Sequence, residues 1–176
     1  PTYATEICTP EGGYGLEGLL THRRDDLIGI RNGIDDEVWN PETDPLLPAR
    51  YSIETVADGK PLCKVHLQKR MHLDERANVP ILGMVSRMAD QKGFDLITDA
   101  AERILEQDLQ MVFLGTGDPL YEAQLRDLAG RYPGKVAAEI GFDESLAHQI
   151  EAGADMFLMP SRFEPCGLIQ LIAMRY

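Results

Sequence analysis

The sequence predicts an α/β fold, a doubly wound parallel sheet with helices on both faces. Three observations predict it. Short apolar runs without period-two alternation recur in the second half of the chain, as strands buried on both faces require. Each run is followed by apolar residues at helical spacing. Cap residues stand between them, with Asp118-Pro119 placing an acceptor at the N-cap and Pro at the first helical position. Alternation of this kind builds right-handed βαβ units.

The elements follow in order. Residues 1–75 are rich in Gly, Pro and polar side chains and show little periodicity. Leu27-Ile28-Gly29-Ile30 is predicted as a short strand, Asn32-Gly33 as a turn, and 39–45, with Pro41 and Pro45, as a structured loop. Leu62, Val65, Leu67 and Met71 predict an amphipathic helix over 60–73. Ile81-Leu82-Gly83-Met84-Val85 is the first buried strand, and Phe94, Ile97, Ala101 and Ile104 mark the helix after it. Met111 to Leu114 is the second strand, and in the helix after Asp118, Leu125 and Leu128 face inward. Residues 135–140 form the third strand, Asp143-Glu144-Ser145 opens the third helix, and Met156 to Met159 is the fourth strand. Cys166 onward is a fourth helix, helix-like to Tyr176 with no C-cap signal. There is no internal repeat.

Bulk properties exclude several classes. The 176 residues are 44% hydrophobic and 26% charged, enough for a sizeable core. A net charge of −12 repels a phosphate backbone, so nucleic-acid binding is not expected. Cys8, Cys63 and Cys166 are odd in number and widely spaced, which predicts neither a disulfide framework nor a zinc site, and points to a reducing compartment. None of the four histidines has metal-ligand spacing, and His66 and His72 are expected at the surface. No apolar run approaches the ~20 residues of a membrane span, and no signal-peptide pattern opens the chain. Pro1 and the uncapped end are expected to mark a chain cut at both ends.

Ligands of such sheets bind beyond the carboxyl ends of the strands. That rule selects loops 86–93, 115–118, 141–143 and 160–167. In the first, Arg87 and Lys92 stand where a strand ends and a helix begins, which suits a diphosphate through charge-assisted bonds; the alternative is a solvated basic loop. In the second, Gly115-Thr116-Gly117-Asp118 either admits a nucleotide to the backbone or is a tight strand-to-helix turn; Leu120 breaks the G-x-G-x-x-G pattern. In the third, Phe142 either covers a base or caps the core. In the fourth, Arg162, Phe163 and Glu164 precede a helix. Glu164 either accepts from sugar hydroxyls or caps the helix and pairs with Arg162, and the amides of Cys166, Gly167 and Leu168 are orphan helix donors. Cys166 has no adjacent base and is expected to pack rather than to act as a nucleophile.

Taken together, Ser86-Arg87 with Gln91-Lys92-Gly93, then Gly115-Thr116-Gly117-Asp118-Pro119, then Pro160-Ser161-Arg162-Phe163-Glu164-Pro165-Cys166-Gly167-Leu168, resemble the bacterial glycogen synthases and plant starch synthases. Pro1-Thr2-Tyr3-Ala4-Thr5-Glu6-Ile7, Asn32-Gly33-Ile34-Asp35 and Trp39-Asn40-Pro41 resemble further segments of that family, so the resemblance covers essentially the whole chain.

The resemblance implies a retaining glycosyltransferase of the GT-B architecture, with two Rossmann-like domains. Residues 1–25 would be the tail of the N-terminal domain and interdomain segment, and 26–176 a partial C-terminal nucleotide-sugar-binding domain, truncated at both ends. It implies transfer of glucose from ADP-glucose to the non-reducing end of an α-1,4-glucan, with no metal and no cofactor beyond the donor substrate. By the same resemblance Arg87 and Lys92 bind the diphosphate and stabilise departing ADP, and Phe142 lies near adenine. Glu164 binds the donor glucose, with Cys166, Gly167, Leu168 and Arg162 beside it, and Gly115, Thr116 and Gly117 line the donor site. Many retaining GT-B enzymes carry a second Glu eight residues on; Ile172 stands there, which fits the synthase subgroup. The family's Lys-x-Gly-Gly loop would precede residue 1, and its Gly-Gly loop and closing helix would follow residue 176, so the 176 residues alone are expected to be inactive. The expected location is the bacterial cytoplasm, or a plastid for a plant protein. Partners are ADP-glucose or ADP and the glucan, with no nucleic acid or membrane; the sequence specifies no oligomeric state. The alternatives are a retaining GT-B enzyme using another nucleotide sugar, and a non-catalytic nucleotide- or glucan-binding module.

Overall fold

Parallel strands in this chain are short, mostly apolar and separated by helices, and they assemble as such runs must. The computed structural model describes residues 2–176. Pro1, which opens the first family-like segment, lies outside the described residues. Packing divides the chain into two compact units. One holds the chain up to Ile34 with Glu164–Leu168; the other holds Asp35–Phe163 and Ile169–Tyr176.

In the smaller unit, α1 (Thr2–Glu6), α2 (Pro10–Gly13) and α3 (Glu17–His22) are short turns of helix. The Thr9 hydroxyl accepts from the Gly12 amide at 3.3 Å and so caps α2, which Pro10 opens. Leu27–Ile30 is not a strand. The segment pairs with no strand among the described residues, and Ile28 and Ile30 are 79% and 85% exposed. β-branched residues favour extended backbone, but a strand also needs a ladder partner, and none lies beside this segment among the described residues.

The larger unit is built from α4 (Val56–Arg70), β1 (Ile81–Val85), α5 (Phe94–Leu105), β2 (Gln110–Gly115), α6 (Pro119–Arg131), β3 (Val136–Ile140), α7 (Glu144–Gly153), β4 (Met156–Phe157) and, from Ile169 on, α8 (Leu168–Ala173). Strand order is β3-β2-β1-β4, and every pairing is parallel. Side-chain alternation along the strands splits the core in two. Met111 and Phe113 of β2, with Leu82 and Met84 of β1, pack on Phe94, Ile97, Ala101 and Leu105 of α5 and Leu125 and Leu128 of α6. Val112 and Leu114, with Ile81, pack on Leu67 of α4 and on Leu146 and Ile150 of α7. Helices therefore cover both faces, as the sequence predicts. Asp118 and Asp143 cap α6 and α7, accepting from Leu120 and Leu146 at 2.8 Å each.

Three further expectations are corrected. Helix α4 begins one turn before Lys60, and its buried face runs through Gly59, Cys63, Lys64, Leu67 and Gln68 rather than Leu62, which is exposed. Two polar residues occupy that face, each with a partner: Lys64 pairs with Asp155 at 2.8 Å, and Gln68 donates to Gln110 Oε1 at 2.8 Å, while Gln68 Oε1 has no partner among the described residues. Strand β4 stops at Phe157 instead of reaching Met159. It is an edge strand paired only through Leu82 and Gly83, and Pro160 follows closely. Helix α8 starts at Leu168 rather than Cys166, because Gly167 takes a left-handed φ of 72° just before it. Of the histidines, His72 is exposed and His66 half-buried.

Candidate active site

Strand order reverses at β1, whose chain neighbour β2 lies on one side and β4 on the other. The loops leaving β1 and β4 consequently part in sequence but meet in space, the usual origin of a crevice at the carboxyl edge of such a sheet. Gln91 joins them. Its Nε2 donates to the Phe163 carbonyl at 3.2 Å, and its own carbonyl accepts from the Arg162 amide at 2.9 Å. Its Oε1 also accepts from the exposed Arg87 guanidinium at 3.2 Å. Gly93 closes the loop at φ 72°, and a Cβ there would stand 2.3 Å from the Pro160 carbonyl, so the two loops approach only because the residue is glycine.

A cavity of about 490 Å³ opens at the ends of β1, β2 and β3. Val85, Leu114 and Ala147 give it apolar walls; Gly115, Thr116, Gly117 and Gly141 give it backbone surface; Arg87 and Phe142 stand in its lining. Phe142 is 92% exposed, which overturns the alternative of a core-capping ring. A ring that wet at a cavity edge is available to stack on a planar ligand. Arg87, Gly115, Thr116, Gly117 and Phe142 therefore line one cavity. Lys92 is half-buried in the single helical turn Asp90–Lys92 that ends the same loop.

The loops are held from behind. The Tyr121 hydroxyl of α6 hydrogen-bonds the Asp90 carboxylate, a contact that, with burial, pushes the phenol up to about 12. Glu122 Oε1 accepts from the Thr116 hydroxyl at 2.7 Å and the Gly117 amide at 3.0 Å, which holds its carboxyl below the usual range. The Arg162 guanidinium pairs with Asp95 in the first turn of α5.

Glu164, Cys166, Gly167 and Leu168 belong to the smaller unit. There Glu164 is half-buried, and the Cys166 thiol lies 3.9 Å from the Asn32 carbonyl as a weak donor, consistent with packing. Among the described residues no group of three or more His, Cys, Asp or Glu is arranged to hold a metal ion, and no helix is long and apolar enough to cross a membrane.

Sequence reasoning overlooked Gln91 as the tie between loops, Glu122 as the support of the Gly-rich loop, and the apolar walls. Only Gln91 had a usable signal, a position four residues after Arg87 and beside Lys92.

The family model for glycosyl transferases group 1 matches residues 79–176, which contain the whole sheet. The chain belongs to this family. It is 56% identical over all 176 residues to a glycogen synthase of Anaeromyxobacter sp. (strain Fw109-5) and 55% identical to one of Geobacillus thermodenitrificans (strain NG80-2). It covers 37% and 36% of those proteins, so it spans little more than a third of the curated relatives it matches. Among solved structures, the catalytic domain of starch synthase IV from Arabidopsis thaliana, bound to ADP and acarbose, superposes with a TM-score of 0.94 at 40% identity, covering 100% of this chain and 36% of that one. The glycosyltransferase chain thus has the parallel α/β fold expected for the C-terminal domain of a GT-B enzyme.

Proposed function

We propose that this glycosyltransferase chain supplies the donor-binding side of a glycogen (starch) synthase, which transfers glucose from ADP-glucose to the non-reducing end of an α-1,4-glucan with retention. The observation that carries the reading is the cavity at the carboxyl edge of the sheet, with an exposed aromatic ring and a permanent cation in one lining. Its apolar walls suit a purine, on which Phe142 stacks. Arg87 and Lys92 take the diphosphate through charge-assisted bonds and stabilise the negative charge that develops as ADP departs. Gly115, Thr116 and Gly117 let the nucleoside approach the backbone. Arg162 holds its loop against Asp95, and Glu164 accepts from the donor glucose hydroxyls, with the backbone of Cys166, Gly167 and Leu168 beside it. Holding the acceptor hydroxyl on the same face as the departing ADP, as retention requires, supplies the rest of the rate through positioning. In this reading ADP-glucose is a substrate and no cofactor or metal is required. The starch synthase relative bound to ADP and the high identity to glycogen synthases support it. With three cysteines and no disulfide among them, the reading places the protein in a reducing compartment such as the bacterial cytoplasm.

The test is glucan elongation by the full-length protein with ADP-glucose and UDP-glucose in competition. ADP-glucose should be the preferred donor, and Glu164→Ala should lower kcat by roughly 10²–10³ while the thermal midpoint stays put. A UDP-glucose preference, or no elongation with either donor, would overturn the reading.

A further inference from the structure

A Gly-rich loop that runs from a strand into a helix has the outline of a phosphate cradle, but in this one the amides from Gly117 to Leu120 are already taken. The Gly117 amide donates to Glu122 Oε1 at 3.0 Å, the Asp118 amide to the Met88 carbonyl at 2.8 Å, and the Leu120 amide to Asp118 Oδ1 at 2.8 Å. Pro119 has no N–H. Every backbone donor from Gly117 to Leu120 is thus committed, and two carboxylates occupy the place an anion would want. The cavity beside the loop is apolar and the cation in its lining, Arg87, comes from the neighbouring loop.

We propose that Glu122 is a positioning residue for the nucleoside end of the donor, fixing Thr116 and Gly117 as one wall of the cavity and reserving that wall for an uncharged group. This rests on the nucleotide-sugar reading above. Glu122 does not itself line the cavity, but both residues bonded to its Oε1 do. On the opposite side Gly117 is backed by Met88, whose carbonyl would lie 2.2 Å from a Cβ at that position, so the wall is gripped between the Met88 backbone and the Glu122 carboxylate. The Glu122 side chain is only 17% exposed, and its other contact, Arg126 at 3.4 Å, is long. The preceding residue, Tyr121, holds Asp90 of the diphosphate loop. One turn of α6 therefore sets the two halves of the donor site separately, the nucleoside half through Glu122 and the phosphate half through Tyr121.

The experiment compares full-length wild type, Glu122→Ala and Glu122→Gln by ADP titration calorimetry and donor-saturation kinetics, with thermal melting to confirm folding. Glu122→Ala should weaken ADP binding and raise the donor KM by about tenfold, the loss of one well-made pair of hydrogen bonds, with kcat within twofold of wild type. Glu122→Gln keeps an oxygen that accepts from both donors and should restore both values. Thr116→Val, which removes one donor alone, should give a smaller rise in KM and serves if Glu122→Ala does not fold. A fall in kcat with unchanged KM, ADP affinity in Glu122→Ala within twofold of wild type, or failure of Gln to rescue would overturn the positioning role while leaving the nucleotide-sugar reading intact. Absence of ADP binding by the wild-type protein would overturn both.

Discussion

Replacing Asp44 with Ala removes the centre of a buried polar cluster in the larger unit. Asp44 is 1% exposed. Its Oδ2 accepts from His148 Nδ1 at 2.7 Å and from the Tyr176 hydroxyl at 2.5 Å, and its Oδ1 accepts from the Leu46 amide at 2.8 Å. Burial first, and then the bond to Asp44, push the Tyr176 phenol well above its ordinary value. Trp39 stacks on His148 with ring centroids 3.9 Å apart. In Asp44→Ala two buried donors and the half-buried Leu46 amide lose their acceptor. Each such loss costs roughly 1–3 kcal/mol, and breaking a buried pair costs about 3–5 kcal/mol because the remaining partner is stranded. The three losses share one relaxation and are not additive, so about 4 kcal/mol is expected, a large part of the ~5–15 kcal/mol that holds a domain together. Urea denaturation followed by fluorescence measures it directly, since Trp39 is the one tryptophan in the sequence and sits inside the cluster. The midpoint should fall with the slope unchanged. A loss below about 1 kcal/mol would refute the reasoning, because it would mean that the donors find water or new partners at no cost.

Glu151 gives a pH dependence. It is 2% exposed, neither carboxyl oxygen has a hydrogen-bond partner among the described residues, and burial pushes its carboxyl up to about 8, against a smaller opposing pull from Lys60. The folded state therefore holds a proton that the unfolded state releases near pH 4.5. Stability from this group is fully present below that pH and is lost as pH rises through about 8. Denaturation midpoints should decline across that window, and Glu151→Gln should flatten the decline; an unchanged profile in the variant would count against it. Gly93→Ala forces a Cβ to within 2.3 Å of the Pro160 carbonyl at a left-handed φ. It should cost roughly 1–3 kcal/mol and lower donor turnover by separating the loops that Gln91 ties; a variant as stable and as active as wild type would show that this approach is unimportant.

Local chemistry was legible wherever one stretch of chain decided the outcome. The apolar runs 81–85 and 111–114 announced themselves as strands because a strand buried on both faces is apolar at nearly every position. Helices α6 and α7 announced their starts because an Asp side chain caps its own segment. The family motifs make Arg87, Lys92 and Glu164 candidates for the donor site, since each sits in a short contiguous signature. Tertiary structure alone decided the rest. Leu27–Ile30 has strand composition without a partner, and a strand is a property of two segments. Phe142 is hydrophobic by composition and exposed by position, which only the loop geometry fixes. His148 and Asp44 are 104 residues apart, and no periodicity links them. Glu122 looked like any acidic residue in a first helical turn until the fold put Thr116 and Gly117 within reach of one oxygen. Sequence determines what each segment is able to become, through backbone propensity and burial. Which side chains then share a cavity depends on strand order and loop approach, and those are settled only when the sheet has formed.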